Sequence, residues 1–318
     1  MNLAGKKVLV TGGAGFIGSH IVARLVAEDA RVVVLDNLKS GKLENLSGVM
    51  QKIQFIKKDI RDEAALEEAL SGVEYVSHQA ALRSVPKSVE APFDYHDVNV
   101  TGTLRLFLKA REAGVKRIAC ASSSSVYGER TDFPEKESDL PKPVSPYAAS
   151  KLMTEHYAYL FTTLYGLEVV SLRYFNVFGP RQSLDDEYAV VIPKFTVSLL
   201  RDEAPPIYGD GGQERDFTYI DNVVDANICA LCLPGVGGEV FNVAQGDPHS
   251  VNELFASLKN ILKKDISPAY LPPRKGDVRK THACIEKTKR LLHWDPKVDF
   301  NEGLQRTADW FKKEFKRT

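Results

Sequence analysis

The sequence predicts an α/β protein with a doubly wound parallel sheet and a smaller carboxyl-terminal α/β domain. Three observations favour this class: short β-branched runs alternate with helical stretches in the first half, a glycine-rich turn follows the first run, and prolines break up the second half. Strands that alternate with helices form right-handed βαβ units, and the resulting parallel sheet is covered by helices on both faces.

The first half supplies six apolar runs of strand length, each separated from the next by a longer stretch. Strands are predicted at Lys7–Thr11, Arg31–Leu35, Ile53–Ile56, Tyr75–His78, Arg117–Ala121 and Val169–Arg173. Helices are predicted near residues 16–28, 62–71, 86–113 and 147–165.

From about Asn176, frequent prolines predict shorter elements and a smaller second domain. The stretch Asn222–Val243 has the pattern of a helix followed by a strand, and could return to the large sheet. We therefore expect residues 1–175, with a return segment at about 221–243, to form the first domain. The remaining residues, 176–220 and 244–318, would form the second.

Composition narrows the possible functions. The 318 residues are 43% hydrophobic and 26% charged, which is typical of a globular protein and excludes a disordered chain. Lys plus Arg equals Asp plus Glu at 42 each, so no charge surplus favours a nucleic-acid partner. The sequence contains neither a signal-peptide core nor a run of about 20 apolar residues, so we expect a cytoplasmic protein without a membrane partner.

The four cysteines are too few and too scattered for a disulfide framework. Cys229 and Cys232 form a CxxC pair, but it lies in an apolar helical run with no second pair. Helix packing is therefore the preferred interpretation, and no metal site is expected.

The sequence Thr11–Gly18, TGGAGFIG, lies between the first strand and an amphipathic helix. Glycines at 12, 15 and 18 permit a tight turn, close approach of a pyrophosphate and packing of the helix on the strand, and the helix N-terminus supplies free N–H groups. This combination is typical of a Rossmann-type dinucleotide site.

Asp36 ends the second predicted strand, 18 residues after Gly18. A carboxylate at that place accepts hydrogen bonds from the adenosine ribose diol and repels a 2′-phosphate, so NAD is favoured over NADP. Asp59, at the end of the third strand, is predicted to contact adenine.

Tyr147 and Lys151 are four residues apart in SPYAASK, which places both on one face of a helix. A phenol with a pKa near 10 must lose about three units to act as a base at neutral pH, and a nearby ammonium and a nicotinamide cation can provide this. A serine-rich loop, Ser122–Ser125, follows the fifth strand at the carboxyl edge of the sheet, where ligands bind. A hydroxyl there can hydrogen-bond the oxygen that the tyrosine deprotonates.

Four motifs together, TGGAGFIGSH, SSVYG, SPYAASK and RYFNVFGPRQ, resemble the extended short-chain dehydrogenase/reductase superfamily. Within it, the chain is similar to the UDP-hexose 4-epimerases, especially the branch that acts on N-acetylated UDP-sugars. The resemblance extends from Lys6 to about Trp310.

The resemblance implies a catalytic role for three residues: Tyr147 as the base, Ser123 as its hydroxyl partner, and Lys151 as the group that holds the nicotinamide ribose and lowers the tyrosine pKa. It also implies an NAD site lined by Phe16, Ile17, Asn37, Ser40, Ile60, Ala80, Ala81, Arg83, Asn99 and Ser122, beside the glycines and acids named above.

For the UDP-sugar, the resemblance implies that Asn176 contacts the diphosphate, Tyr208 packs against uracil and Arg215 binds phosphate. Arg274 and Asp277 would hold phosphate and the uridine ribose. Arginine suits the phosphate role because its fork of donors matches phosphate oxygens.

The implied reaction is 4-epimerisation: Tyr147 removes the 4-OH proton while the C4 hydride passes to NAD, and hydride returns to the opposite face of the 4-keto sugar. Thr281 is at the position where, in the resembled enzymes, a tyrosine accompanies restriction to UDP-Glc and UDP-Gal. A small residue there implies acceptance of UDP-GlcNAc and UDP-GalNAc as well.

Other interpretations remain open, namely a UDP-glucuronate 4-epimerase and a non-catalytic NAD-binding sensor. Dehydratases and decarboxylases are disfavoured because Ser124 and Ser125 occupy the places where those enzymes carry an acid. The resemblance also implies a homodimer, formed through the 86–113 and 147–165 helices.

Overall fold

The computed structural model describes residues 3–183, 191–273 and 278–315. Its strands are β1 (Lys7–Thr11), β2 (Arg31–Leu35), β3 (Ile53–Ile56), β4 (Tyr75–His78), β5 (Arg117–Ser123), β6 (Glu168–Tyr174), β7 (Val177–Phe178), β8 (Pro206–Tyr208), β9 (Glu214–Asp216), β10 (Thr218–Tyr219), β11 (Val240–Val243), β12 (Pro248–Ser250) and β13 (Ala269–Leu271).

The α-helices lie between and after these strands. They are α1 (Phe16–Ala27), α2 (Glu63–Leu70), α3 (Val85–Glu90), α4 (Pro92–Tyr95), α5 (Thr103–Glu112), α6 (Pro146–Tyr165), α7 (Val191–Leu200), α8 (Ile220–Cys232), α9 (Val251–Leu262), α10 (Glu286–Leu292) and α11 (Phe300–Phe315).

Seven strands form one parallel sheet in the order β11-β6-β5-β4-β1-β2-β3. The order reverses between β1 and β4, because the chain adds β2 and β3 on one side of β1 and the later strands on the other. Such a switch point opens a crevice at the carboxyl ends of the strands, where ligands of doubly wound proteins bind. The predicted fold class is confirmed.

The sheet is buried on both faces, as the continuous apolar strands predict. Along β1, Val8 and Val10 belong to the core on one face, together with Ile21 of α1. Leu9 points to the opposite core, which also contains Leu66 of α2. This alternation follows from the two-residue period of a strand.

The six predicted strands all occur, and β5 and β6 are longer than predicted, so that the sheet reaches Ser123 and Tyr174. The returning strand also occurs: β11 pairs in parallel with β6, with Val240 opposite Ser171. The domain boundaries drawn from the sequence stay a prediction.

The helix predicted at 86–113 is interrupted in the structure. Ala91 has φ −132° and ψ 62°, outside helical values, and separates α3 from α4. Pro92 explains the break, because a proline disfavours the helical region for the residue before it. A π-helical turn, His96–Gly102, then joins α4 to α5.

The second half adds three two-stranded sheets, which pair β7 with β10, β9 with β12, and β8 with β13. Two of these short strands, β8 and β9, contain residues predicted to bind the UDP-sugar. In the described part of the chain, none of the helices has the length and apolar character that a membrane crossing requires.

We expect β11 to be an integral part of the core. Phe241 on this strand is fully buried, so Phe241→Ala should lower the free energy of unfolding by about 3–5 kcal/mol. Leu140→Ala is the control, since Leu140 is 82% exposed and its truncation should cost less than about 0.5 kcal/mol. Guanidinium unfolding curves measure both, and equal stabilities would contradict the prediction.

Candidate active site

A cleft of about 1150 Å³ lies at the carboxyl edge of the sheet, at the switch point. Its lining includes the glycine-rich turn, the ends of β2 and β5, and the first turns of α6. It therefore collects side chains from distant parts of the sequence at the place where a parallel sheet binds ligands.

The glycine turn allows close backbone approach at two points. Gly12 has φ +66°, and a Cβ atom there would lie 2.7 Å from the backbone N of Ala80. A Cβ atom on Gly18 would lie 2.2 Å from the carbonyl oxygen of Gly12. Helix α1 starts at Phe16 with Gly15 as its N-cap and no side-chain cap, so its N-terminus is suited to an anion.

Asp36 lines the same cleft and is almost fully buried. Its carboxylate accepts hydrogen bonds from Ala14 N (2.9 Å) and Leu38 N (2.8 Å). Burial raises the pKa of Asp36, and these two hydrogen bonds oppose the rise. Each carboxylate oxygen has a second lone pair, so Asp36 can hold the turn and still accept from a ribose diol.

Asp59 is fixed by its neighbours in the cleft. Its Oδ1 atom accepts from Arg61 Nε at 2.8 Å, and its Oδ2 atom accepts from Asn37 Nδ2 at 2.7 Å. The hydrogen bond from Arg61 lowers the pKa of Asp59 to about 2. The group is therefore an acceptor at all physiological pH values.

The structure brings most of the predicted NAD-site residues to this cleft: Gly12, Gly15, Phe16, Ile17, Gly18, Asp36, Asn37, Ser40, Asp59, Ile60, Ala80, Ala81, Arg83, Ser122, Tyr147 and Lys151. Asn99 lies behind the lining, in the π-helical turn. Its side chain accepts from Leu82 N (2.7 Å) and donates to Leu82 O (2.9 Å) and Ser150 Oγ (3.0 Å). Asn99 thus connects the loop after β4 to α6.

Tyr147 and Ser123 meet in the cleft. Helix α6 begins with Pro146, and the Ser145 side chain caps it by accepting from Ala148 N, which fixes the first turn that carries Tyr147. Burial raises the pKa of Tyr147, while a hydrogen bond with Ser123 and the positive charge of Arg83 act in the opposite direction. A further positive charge beside the phenol is therefore needed before it can act as a base.

Lys151 follows one turn later on the same face of α6. Its Nζ atom donates to Ala121 O at 2.8 Å, which ties the helix to the end of β5. Burial lowers the pKa of Lys151, and the nearby Cys120 and Glu155 groups oppose this shift.

Glu155, which sequence analysis did not single out, completes this face of α6. Its carboxylate accepts from Arg173 Nε (2.9 Å) and Nη2 (2.7 Å), and from Ser122 Oγ at 2.5 Å. The Glu155–Arg173 pair is buried, with side-chain exposures of 5% and 3%. The spacing of Tyr147, Lys151 and Glu155, four residues each, was a signal available in the sequence.

A second buried network that sequence analysis missed supports the glycine turn. His78 lies between the hydroxyls of Thr11 (2.6 Å) and Thr103 (2.8 Å). Burial lowers the pKa of His78 to about 3, so the imidazole is neutral. It therefore links β1 and β4 to the start of α5 without a buried charge.

Two predicted substrate residues are in direct contact. Asn176, which lines the cleft at the end of β6, donates from Nδ2 to the Thr281 hydroxyl at 3.0 Å. Asp216 N donates to the same hydroxyl at 3.2 Å. Thr281 therefore lies next to the cleft wall although it is 105 residues away from Asn176 in the chain.

Tyr208 and Arg215, which are also predicted to bind the substrate, are not among the residues that line this cleft. Tyr208 ends β8, where its carbonyl accepts from Gln213 Nε2 at 2.9 Å. Arg215 lies in the middle of β9, next to Asp216. Arg274 and Asp277 lie outside the described residues.

Comparison with known proteins agrees with this geometry. Residues 8–244 match the NAD dependent epimerase/dehydratase family. The chain belongs to this family. It is also 40% identical over 312 residues to a UDP-glucose 4-epimerase of Mycolicibacterium smegmatis, covering 96% of this chain and 98% of the relative.

Solved structures of similar sequence have the same fold. A UDP-N-acetylglucosamine 4-epimerase from Methanobrevibacter ruminantium M1, in complex with UDP-N-acetylmuramic acid, is 44% identical with a TM-score of 0.94, covering 98% of this chain and 99% of that one. The UDP-glucose 4-epimerase of Thermus thermophilus, in complex with NAD, is 39% identical with a TM-score of 0.87, covering 96% and 99%.

These findings confirm three predictions: the chain resembles the UDP-hexose 4-epimerases, it is an isomerase, and its cofactor is NAD. The residues fit the cofactor: Gly12, Gly15 and Gly18, which carry no side chains, line the cleft beside the uncapped N-terminus of α1, where a pyrophosphate can bind, and Asp36 lines the same cleft. Within the described ranges, no group of three or more His, Cys, Asp or Glu side chains could hold a metal ion.

We expect purified protein to release about one NAD per chain when it is denatured, because the reaction cycle regenerates its own oxidant. Gly18→Ala should reduce this content to less than about a tenth, since its Cβ would overlap the Gly12 carbonyl and distort the turn. Chromatography of the released nucleotide measures both.

Gly48→Ala is the matched control, because a Cβ atom there meets nothing within 4 Å. Release of NADP, or full NAD content in Gly18→Ala, would contradict the assignment of this turn.

Proposed function

We propose that this enzyme interconverts UDP-GlcNAc with UDP-GalNAc and UDP-Glc with UDP-Gal. The observation that carries the proposal is the position of Thr281, whose hydroxyl lies 3.0 Å from Nδ2 of the cleft residue Asn176. A threonine at this point leaves volume that a tyrosine would fill. An acetamido group at C2 needs that volume, and overpacking costs about 1–3 kcal/mol or more.

Bound NAD supplies the chemistry that oxidises C4 of the sugar and then reduces it from the other face. Tyr147 takes the 4-OH proton and later returns one, and the Ser123 hydroxyl supports the same oxygen. The positive charge of Arg83 favours the phenolate. The resemblance assigns the same effect to the ammonium of Lys151, one turn further along α6. Asn176, Tyr208, Arg215, Arg274 and Asp277 would bind the UDP part.

A UDP-glucuronate 4-epimerase remains the second candidate, because the serine-rich loop is shared by that class. A non-catalytic sensor is disfavoured, since Ser123, Tyr147 and Lys151 all line one cleft. Incubation with UDP-Glc, UDP-GlcNAc and UDP-GlcA in separate reactions, followed by separation of the epimers, distinguishes these functions. Activity on UDP-GlcA alone would overturn the proposal.

We also propose a homodimer in the cytoplasm, with α3, α4 and α6 at the interface. Apolar side chains on these helices are exposed, among them Val89 (64%), Phe93 (89%) and Leu164 (67%). A monomer rarely exposes several such residues on neighbouring helices, whereas a helical dimer interface would bury them.

If these helices form the interface, Phe93→Glu should shift the protein from dimer to monomer. A buried unpaired carboxylate would cost several kcal/mol at the interface, and the same residue is solvated in a monomer. Light scattering coupled to size exclusion measures the mass, and Leu140→Glu is the control on an exposed apolar residue elsewhere. An unchanged dimer in Phe93→Glu would place the interface on another surface.

Tyr147→Phe should lower the turnover number by at least about a hundredfold, the usual scale for loss of a general base. NAD content should stay unchanged, because the phenol oxygen is not part of the glycine turn. Ser123→Ala should cost less, since it removes a hydrogen bond rather than the proton acceptor. Wild-type turnover in Tyr147→Phe would require another base.

Thr281→Tyr should reduce activity on UDP-GlcNAc by at least about tenfold, while activity on UDP-Glc falls much less. The reason is that the added ring fills the space that the acetamido group needs. Thr281→Ser is the matched control: it keeps the hydroxyl that accepts from Asn176 and Asp216 without adding volume. Equal losses on both substrates, or none, would exclude Thr281 as the selectivity determinant.

A further inference from the structure

Residues 281–284, here named the Thr281 segment, run in extended form past the end of β9. On the side that faces β9, Thr281 N donates to Glu214 O at 3.1 Å, and Ala283 N donates to Asp216 Oδ2 at 3.1 Å. The second acceptor is a side chain, at a place where a sheet would use a backbone carbonyl.

The opposite side of the Thr281 segment is held by one residue of a distant loop. His282 N donates to Glu135 Oε2 at 2.8 Å, and Cys284 N donates to Glu135 O at 2.8 Å. Glu135 N in turn donates to His282 O at 2.7 Å. All four backbone N–H groups of the Thr281 segment are therefore satisfied, two of them by buried carboxylates.

Asp216 connects more than this segment. Its Oδ1 atom accepts from Gln245 N (2.9 Å) and Gly246 N (3.1 Å), while Oδ2 accepts from Gly246 N (3.1 Å) and Ala283 N (3.1 Å). Its own backbone carbonyl accepts from Asn176 Nδ2 at 3.2 Å. One residue thus ties the turn after β11, the Thr281 segment and the cleft residue Asn176 together.

Both carboxyl groups are buried at an electrostatic cost. Asp216 is 0% exposed and Glu135 is 2% exposed. Burial raises the pKa of Asp216 to about 6 and that of Glu135 to about 7, and the backbone hydrogen bonds to each group oppose the rise. Nearby negative charges add to the rise: Asp247 acts on Asp216, and Asp216 and, more weakly, Asp139 act on Glu135. A buried carboxylate is retained at such a cost where its acceptors are needed.

We propose that Asp216 and Glu135 are positioning residues for the UDP-sugar, because their carboxylates hold the Thr281 segment and, through it, Asn176 against the cleft. This inference rests on the proposed function, since it assigns Thr281 and Asn176 to the sugar diphosphate site. Neither acid lines the cleft with the NAD-site residues. Their effect should therefore fall on substrate binding and leave the bound cofactor unchanged.

The two acids should respond differently to replacement by an amide. Each carboxylate oxygen of Asp216 accepts from two backbone N–H groups. In Asp216→Asn, the NH₂ group must replace one of these oxygens in either orientation of the amide, so that it faces two donors and cannot accept from them. In Glu135→Gln, the amide oxygen can turn to the single backbone donor, His282 N. Glu135→Ala removes that acceptor and leaves the donor unpaired.

The test measures KM and kcat for UDP-Glc and UDP-GlcNAc, NAD released per chain, and UDP affinity by calorimetry. Asp216→Asn should raise KM and weaken UDP binding by at least about tenfold, with kcat lowered less than about threefold and NAD content unchanged. In Glu135→Gln, KM and UDP affinity should stay within about twofold of the parent enzyme's values. In Glu135→Ala, KM should rise and UDP binding should weaken, as in Asp216→Asn. Asp132→Asn and Glu129→Gln are matched controls at exposed positions of the neighbouring loop.

An Asp216→Asn enzyme with unchanged KM, or with a fall confined to kcat, would overturn the proposal. Loss of NAD together with UDP binding would show a general structural role and would also overturn it. If Asp216→Asn does not fold, the comparison of Glu135→Ala with Glu135→Gln decides: equal KM values overturn the proposal.

Failure of the proposed function gives a different pattern. A parent enzyme that binds UDP but converts neither substrate would refute the function, whereas weaker UDP binding in Asp216→Asn would still support the positioning role. A parent enzyme that does not bind UDP would overturn both.

Discussion

The buried ion pair between Glu155 and Arg173 is the interaction on which the catalytic geometry depends. Glu155 is on α6, Arg173 is on β6, and Ser122 on β5 donates to the same carboxylate. The pair fixes the helix that carries Tyr147 to β6, and the hydrogen bond from Ser122 fixes the same helix to β5, the strand that ends in Ser123. Because both charges are buried, removal of one partner would cost about 3–5 kcal/mol and leave an uncompensated charge next to the site.

The same pair connects the cleft to the edge of the sheet. The Arg173 guanidinium lies 4.6 Å from the centre of the Tyr127 ring, and the Tyr127 hydroxyl donates to Asn242 Oδ1 on β11 at 2.7 Å. Asn242 Nδ2 then donates to Glu135 O at 3.0 Å. A continuous set of buried polar contacts therefore runs from the tyrosine-bearing helix to the residue that holds the Thr281 segment, and its members support one another.

Much of the fold and of the NAD site could be predicted because their signals are local. Strand β1, the glycine turn and α1 are contiguous in sequence, and the acid at the end of β2 follows at a characteristic distance. The predicted 86–113 helix was wrong in its continuity, because Pro92 sets the conformation of Ala91 within an otherwise helical pattern. His78, Glu135 and Asp216 were missed, since a buried polar residue has no period that separates it from an exposed one. Glu155 was missed as well, although its four-residue spacing from Lys151 on α6 was a usable signal.

The sugar side of the cleft is harder to predict for a physical reason. Its contacts come from β6, β9 and the Thr281 segment, which are far apart in sequence and meet only through side-chain hydrogen bonds. Short strands of two or three residues bury too little apolar surface to set their own register, so acceptors such as Asp216 must do it. The NAD half is thus built by repeated βαβ packing, whereas the sugar half depends on individual buried polar groups. Substitutions in the sugar half can therefore alter substrate choice while the NAD half, with its separate packing, is retained.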